Sequence, residues 1–153
     1  MRRAASLAVA AALLAASNAS AQNCTAGTLY LTIDTGSMKP AEEIASILRK
    51  HKVRATFFIA NEKTWRGDTA LDPAWAAYWK SLVNDGHAFG SHTWRHWYFR
   101  RDAPGNKVAY VPPSGKPEIM DRQQVCAELN RVRDAFSHLT GKQLAPLWRA
   151  AGG

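Results

Sequence analysis

Hydrophobic residues in this chain fall into short runs, separated by longer stretches in which apolar positions recur at helical spacing. Short apolar runs that alternate with amphipathic segments are typical of strand–helix repeats that build a parallel sheet. The pattern therefore predicts an α/β fold in one domain. Its strands are predicted at residues 29–34, 55–60 and 87–91, with a short fourth strand at 147–149.

Three helices are predicted around these strands. The first spans residues 40–51, where apolar side chains recur on one face. The second spans 72–86, because an aspartate and a proline open it and a glycine closes it. The third spans 121–141, with a capping-box pattern at its start and a glycine at its end.

Residues 97–119 interrupt this regular pattern. The segment contains two glycines and four prolines, which predicts a long connection without regular secondary structure. Loops of this length in a compact domain are usually functional or disordered.

The N-terminus has the features of an export signal. Arg2 and Arg3 precede an apolar stretch at 4–16, and small residues at 19–21 follow it. A membrane anchor is the weaker alternative, because the stretch is shorter than the roughly 20 residues that span a bilayer. We therefore expect a signal peptide at residues 1–21, a domain at 22–153, and a periplasmic or extracellular product without stable membrane insertion.

Export affects the interpretation of the cysteines and of the charge. In an oxidising compartment Cys24 and Cys126 are candidates for a disulfide, although two buried thiols fit the sequence equally well. The net charge of +8 suits an anionic envelope surface. An ordinary solvated surface is the simpler explanation of most of these charges.

Four polar residues follow the predicted strands. Asp34, His92, His96 and Arg149 all fall at carboxyl ends of strands, where ligands bind in strand–helix folds. Imidazole is the commonest protein ligand of metals such as zinc. A lone His-x-x-x-His pattern is weak evidence, but its position after a strand favours a metal site with hydrolytic chemistry.

The segments that carry these residues resemble the polysaccharide deacetylase family, the carbohydrate esterase family 4 with its NodB-like domain. The resemblance runs in the family's order from about residue 28 to 153. It is carried by Leu31-Thr32-Ile33-Asp34, Val53-Arg54-Ala55-Thr56-Phe57-Phe58, Asp85-Gly86-His87 with Ser91 to His96, and Leu147-Trp148-Arg149.

This resemblance implies the N-terminal portion of a distorted (β/α) barrel. It also implies a divalent metal, a zinc-like ion, which activates water to remove N- or O-linked acetyl groups from an acetylated polysaccharide. By motif position His92 and His96 are the metal ligands and Asp34 is the catalytic base. Arg149 corresponds to the arginine that orients the base.

The chain departs from the family pattern directly after the base. The family's third metal ligand is a second aspartate, and here that position is Thr35. Two imidazoles without this carboxylate should hold zinc more weakly. Asp34 itself, Thr35 or Ser37 through an oxygen, and Asp102 are alternative third ligands, and Thr35 is the candidate substitute at the equivalent position.

A second departure concerns length. The family's late histidine, a general acid, would lie beyond the Arg149 motif, whereas the sequence ends at Gly153. We therefore expect the chain to be the front portion of a longer enzyme.

Two other functions are compatible with parts of the sequence. Trp94, Trp97 and Tyr98 could stack on sugars in a non-catalytic carbohydrate-binding remnant. Aromatic and arginine residues also alternate over 94–101, as in single-strand binders, but a signal peptide argues against a nucleic-acid partner. The polymer and the oligomeric state stay open.

Overall fold

The computed structural model describes residues 27–152. The predicted signal peptide and Cys24 lie outside the described residues. Cys126 is exposed on the third helix, so the alternative of a buried thiol is wrong for this residue. Its pairing with Cys24 stays a prediction.

A parallel sheet carries the predicted strands in the order β1-β2-β3. These strands are β1 (Thr32–Asp34), β2 (Thr56–Ile59) and β3 (Ala88–Ser91). The predicted fourth strand is reduced to one parallel bridge between Ser91 and Trp148. The first strand begins three residues later than predicted, at a point where the preceding Leu29 and Tyr30 project into solvent.

All three predicted helices are present. They are α1 (Ala41–His51), α2 (Ala76–Asn84) and α3 (Arg122–Thr140), and a 3-10 turn at Pro73–Trp75 leads into α2. The predicted capping box of α3 forms, since Asp121 and Gln124 each accept a hydrogen bond from the other's backbone N–H. The predicted boundaries are therefore correct to within a few residues.

One face of the parallel sheet is covered by the helices. Ile33, Phe57 and Phe89 lie in register across the three strands, and they pack into the same hydrophobic cluster as residues of α1, α2 and α3. The ring of Trp79 from α2 contacts Phe89 edge-on, and the ring of Phe136 from α3 packs against Phe89 at a tilt. The opposite face carries Asp34 and Phe58, which leaves it available to the functional side chains.

Residues 97–119 were predicted to lack regular structure, and this prediction is wrong. They contribute most of an antiparallel sheet of β4 (Tyr98–Ala103), β5 (Lys107–Val111) and β6 (Glu118–Met120). Gly105 and Asn106 adopt positive φ at the turn between β4 and β5. The glycines and prolines therefore mark the connections between short strands rather than a break in secondary structure.

No helix within residues 27–152 has the length and apolar character needed to cross a membrane.

Gly90 gives the fold a testable close contact. A Cβ at this position would lie 2.9 Å from the carbonyl oxygen of Leu147 and 2.9 Å from the ring of Phe58. We expect Gly90→Ala to lower the free energy of unfolding by about 1–3 kcal/mol, because over-packing displaces neighbours. Urea denaturation followed by tryptophan fluorescence measures the loss.

Gly36→Ala is the matched control. No atom beyond its chain neighbours lies within 4 Å of the Cβ that this substitution adds. Its free energy of unfolding should stay within about 0.5 kcal/mol of wild type. Equal losses in the two variants would contradict the packing argument.

Candidate metal centre

The structure brings the four residues singled out from the sequence into one cluster. Nη1 of Arg149 donates to Oδ1 of Asp34 at 2.8 Å. Oδ2 of Asp34 lies 3.7 Å from Nε2 of His92, and the Nε2 atoms of His92 and His96 lie 3.0 Å apart. The cluster sits at the carboxyl edge of the parallel sheet, where β1 and β3 end.

Nδ1 of each imidazole, the nitrogen that faces away from the other ring, lies within hydrogen-bond distance of an oxygen. Nδ1 of His92 lies 2.9 Å from the backbone carbonyl oxygen of Arg149, which can only accept a hydrogen bond. Nδ1 of His92 therefore carries the proton, and the Nε2 lone pair faces the cluster. Burial lowers the pKa of His92, which favours the neutral ring that a cation needs.

Glu62 is a member of the cluster that sequence reasoning missed. Its Oε1 lies 2.7 Å from Nδ1 of His96, on the far side of the ring from Nε2. Burial raises the pKa of Glu62, and the attraction of His96 opposes that rise. The residue follows β2 by three positions, at the sheet edge shared with Asp34, and this position was the available signal.

The loop that joins the two histidines has an unusual backbone. Thr93 and His96 adopt left-handed conformations, with φ of 71° and 55°. Such conformations cost about 1–3 kcal/mol each for residues other than glycine. The hydroxyl of Thr93 accepts a hydrogen bond from the backbone N–H of His96 at 3.1 Å, and the carbonyl of Trp94 accepts one from Asn61 at 2.9 Å.

A buried carboxylate supports this loop from behind. Glu128 of α3 is 7% exposed, and its Oε1 accepts hydrogen bonds from the backbone N–H of Arg95 and the hydroxyl of Tyr110, both at 2.8 Å. Burial raises the pKa of Tyr110 to about 12, so that the hydroxyl stays protonated as a donor. The same hydroxyl lies 3.0 Å from Oγ1 of Thr93. Helix α3 and strand β5 thus hold the histidine loop together.

Of the candidate third ligands, Asp34 lies beside the histidine pair, whereas the structure shows no contact of Thr35 or Asp102 with either histidine. Oγ1 of Thr35 accepts from the backbone N–H of Ala60 at 2.8 Å and lies 3.4 Å from the carbonyl oxygen of the same residue. Asp102 is exposed on β4, opposite Val108 of β5. Within residues 27–152, no group of three or more histidine, cysteine, aspartate or glutamate side chains is pre-assembled to hold a metal ion. Two imidazoles face each other, and Asp34 is the nearest carboxylate to His92.

The aromatic residues considered for sugar stacking have partners within the protein. The guanidinium groups of Arg131, Arg95 and Arg100 lie 4.1, 4.2 and 4.4 Å from ring centroids. The rings are those of Trp94, Trp97 and Tyr98, respectively. All three side chains are partly buried, so these contacts use part of their surface.

The sequence of the chain is similar to known proteins over most of its length. A model of the family described as polysaccharide deacetylase matches residues 21–153. An uncharacterised 30.6 kDa protein of Geobacillus stearothermophilus is 36% identical over 118 residues, which cover 75% of this chain and 34% of that protein. A chitin disaccharide deacetylase of Vibrio alginolyticus is 33% identical over 80 residues, which cover 50% of this chain and 18% of that enzyme. The chain thus spans about a third of the first relative's length.

The fold is shared with solved structures. A carbohydrate esterase family 4 enzyme of Streptococcus mutans aligns with a TM-score of 0.57 and 22% identity, covering 81% of this chain and 44% of that one. This likeness concerns the fold alone. It confirms the predicted α/β architecture, the N-terminal portion of a NodB-type barrel.

The role of Glu128 can be tested by removing its charge. We expect Glu128→Gln to lower the free energy of unfolding by about 2 kcal/mol, because hydrogen bonds to a buried charged group are lost. Chemical denaturation measures this change.

Glu118→Gln is the matched control. Glu118 binds the same Arg95 at 2.8 Å but is half exposed, and exposed ion pairs contribute less than about 1 kcal/mol. If the Glu118 variant lost as much stability as the Glu128 variant, burial of Glu128 would not be the source of its contribution.

Proposed function

The chain belongs to the polysaccharide deacetylase family, and we propose that it acts as an exported, metal-dependent hydrolase that removes N- or O-linked acetyl groups from a polysaccharide. The observation that carries this proposal is the pair of imidazoles whose Nε2 atoms lie 3.0 Å apart beside Asp34. Family membership rests on the match to residues 21–153. Export rests on the pattern of residues 1–21 alone.

The donor atoms of the cluster fit a zinc-like cation. Hydrogen bonds at Nδ1 fix both rings so that their Nε2 atoms face one position, which is how imidazoles present themselves to a metal. His92 and His96 would hold the cation, and a small shift of Asp34 would add a carboxylate oxygen. When bound, a divalent cation supplies Lewis-acid chemistry, which polarises a carbonyl and activates water for hydrolysis.

In this proposal Asp34 acts as the general base. Its Oδ1 accepts a hydrogen bond from Arg149, while Oδ2 faces His92. A carboxylate in this position can take a proton from a water molecule that attacks an acetyl carbonyl.

Arg149 orients this base through several contacts. Its Nη2 donates to Oγ1 of Thr32 at 2.9 Å, and its guanidinium lies 4.3 Å from the ring centroid of Phe58. These contacts fix the guanidinium on the sheet face, where its Nη1 lies 2.8 Å from Oδ1 of Asp34. Arg149 therefore acts on the reaction through Asp34.

The substrate class follows from the family. The relative from Vibrio alginolyticus is a chitin disaccharide deacetylase, so N-acetylated sugars, from the chitin disaccharide to longer chitin chains, are the first substrates to test. Peptidoglycan and acetylated exopolysaccharides share the same acetyl chemistry. Assays of acetate release from each polymer distinguish them.

Histidine variants test the metal site. We expect His92→Ala and His96→Ala each to abolish zinc binding, since either change leaves a single imidazole in the pair. Isothermal titration with zinc after removal of metal by a chelator measures this. His138→Ala, an exposed histidine near the end of α3, is the control and should bind zinc as wild type does.

Asp34→Asn tests the catalytic base. We expect this variant to keep zinc and to lose acetate release by roughly 100-fold or more, because the amide cannot take a proton. Loss of zinc in the variant would make Asp34 a metal ligand instead. Acetate release that survives in either histidine variant would contradict a metal-dependent mechanism, and glycan binding without acetate release would favour a carbohydrate-binding function.

A further inference from the structure

Glu62 lies on the far side of one of the two imidazoles. Its Oε1 lies 2.7 Å from Nδ1 of His96, whereas Nε2 of the same ring faces His92. A single carboxylate oxygen therefore contacts a candidate ligand without entering the position between the two rings. Glu62 is distinct from the proposed base, Asp34, and from its arginine partner, Arg149.

The remaining oxygen of Glu62 is unusual. Oε2 is buried and has no hydrogen-bond partner among residues 27–152. Buried polar atoms are nearly always hydrogen-bonded, because an unmade bond costs free energy. The carboxylate is thus held in a partly buried position for which the only described side-chain partner is His96.

Backbone contacts fix Glu62 beside the histidine loop. The carbonyl of Glu62 accepts a hydrogen bond from Ala70 at 2.9 Å. The preceding residue, Asn61, donates from its backbone to the carbonyl of Trp94 at 2.9 Å, within the histidine loop itself. The segment after β2 is therefore joined to the loop after β3 by a backbone hydrogen bond one residue before Glu62, which keeps Glu62 beside His96.

The cluster without Glu62 carries little net negative charge with which to attract a cation. The charge of Asp34 is offset by Arg149 at 2.8 Å, and position 35 carries a neutral threonine whose hydroxyl is bonded to Ala60. Imidazoles bind metal ions as neutral rings, so the two histidines would add no charge to a loaded site. A divalent cation at the pair would therefore meet little net negative charge from Asp34 and Arg149 alone.

We propose that Glu62 is a positioning residue for the cation site: its carboxylate accepts the Nδ1 proton of His96, directs Nε2 toward the cation and supplies negative charge that Thr35 does not. This inference rests on the proposed metal-dependent function. It adds that the affinity of the site for its cation depends on Glu62. A carboxylate behind a ligating histidine fixes the ring and makes it a stronger donor.

The experiment compares zinc binding by the purified full chain and by its Glu62→Gln variant. The two side chains have the same shape, so the substitution removes charge with little change in packing. We expect the dissociation constant for zinc, measured by competition with a chromophoric chelator, to rise by about 10-fold or more. Glu43→Gln, at an exposed glutamate in the first turn of α1, is the matched control and should leave it unchanged.

A spectroscopic readout separates this role from a purely structural one. In the zinc-loaded wild type, the Nδ1 proton of His96 should give a downfield NMR resonance, because its hydrogen bond to a carboxylate is charge-assisted. The resonance should move upfield in Glu62→Gln. Thermal unfolding with and without zinc keeps the test valid if the variant is less stable, since the zinc-induced rise in Tm reports affinity directly.

The outcomes distinguish this inference from the proposed function. Unchanged zinc affinity and an unchanged His96 resonance in Glu62→Gln would overturn the role of Glu62 and leave the metal site intact. A variant that is merely less stable, with a wild-type rise in Tm on addition of zinc, would overturn it as well. If wild type and His96→Ala both failed to bind zinc, the proposed metal dependence and the role of Glu62 would be overturned together.

Discussion

The candidate site depends on a short stretch of left-handed backbone. His92 and His96 face each other because Thr93 and His96 adopt positive φ, which β-branched and bulky side chains rarely do. The surrounding structure offsets this cost. Glu128 binds the loop at Arg95, and Tyr110 links Glu128 to Thr93, so that α3 and β5 stabilise a conformation that the loop would not adopt alone.

This constraint gives the antiparallel sheet a role beyond covering the domain. Tyr110 lies on β5 and is fully buried. Glu118 of β6 accepts a hydrogen bond from Nη1 of Arg95, whereas Glu128 accepts one from Nε of the same guanidinium. The parallel sheet places the ends of β1 and β3 at a common edge, while the antiparallel sheet and α3 fix the loop that leaves β3. The two sheets therefore act on different parts of the same site.

The parallel sheet and its helices could be predicted because apolar runs, helix caps and helix-ending glycines act within a few residues of one another. These signals can be recognised in the sequence without knowledge of the tertiary fold. The antiparallel strands were missed because they are short and because the glycines and prolines of the turns between them dominate the segment. Their buried residues, Ala109, Tyr110 and Met120, follow no regular spacing in the sequence. Asp34, His92, His96 and Arg149 could be placed at strand ends from sequence. Glu62 could not be assigned to His96 in this way, because their contact depends on how two loops pack. Neither the fold nor the family establishes activity, which depends on the geometry and chemistry of the site.

Arg149 serves the site with two chemically independent groups. Its guanidinium binds Asp34, whereas its backbone carbonyl fixes the proton of His92. The carbonyl belongs to every residue type, so its contact is independent of the side chain at this position as long as Arg149 and Ser91 keep their backbone hydrogen bond. A substitution of this side chain would therefore change the environment of the Asp34 carboxylate. The orientation of the His92 imidazole would be kept, because it depends on the main chain.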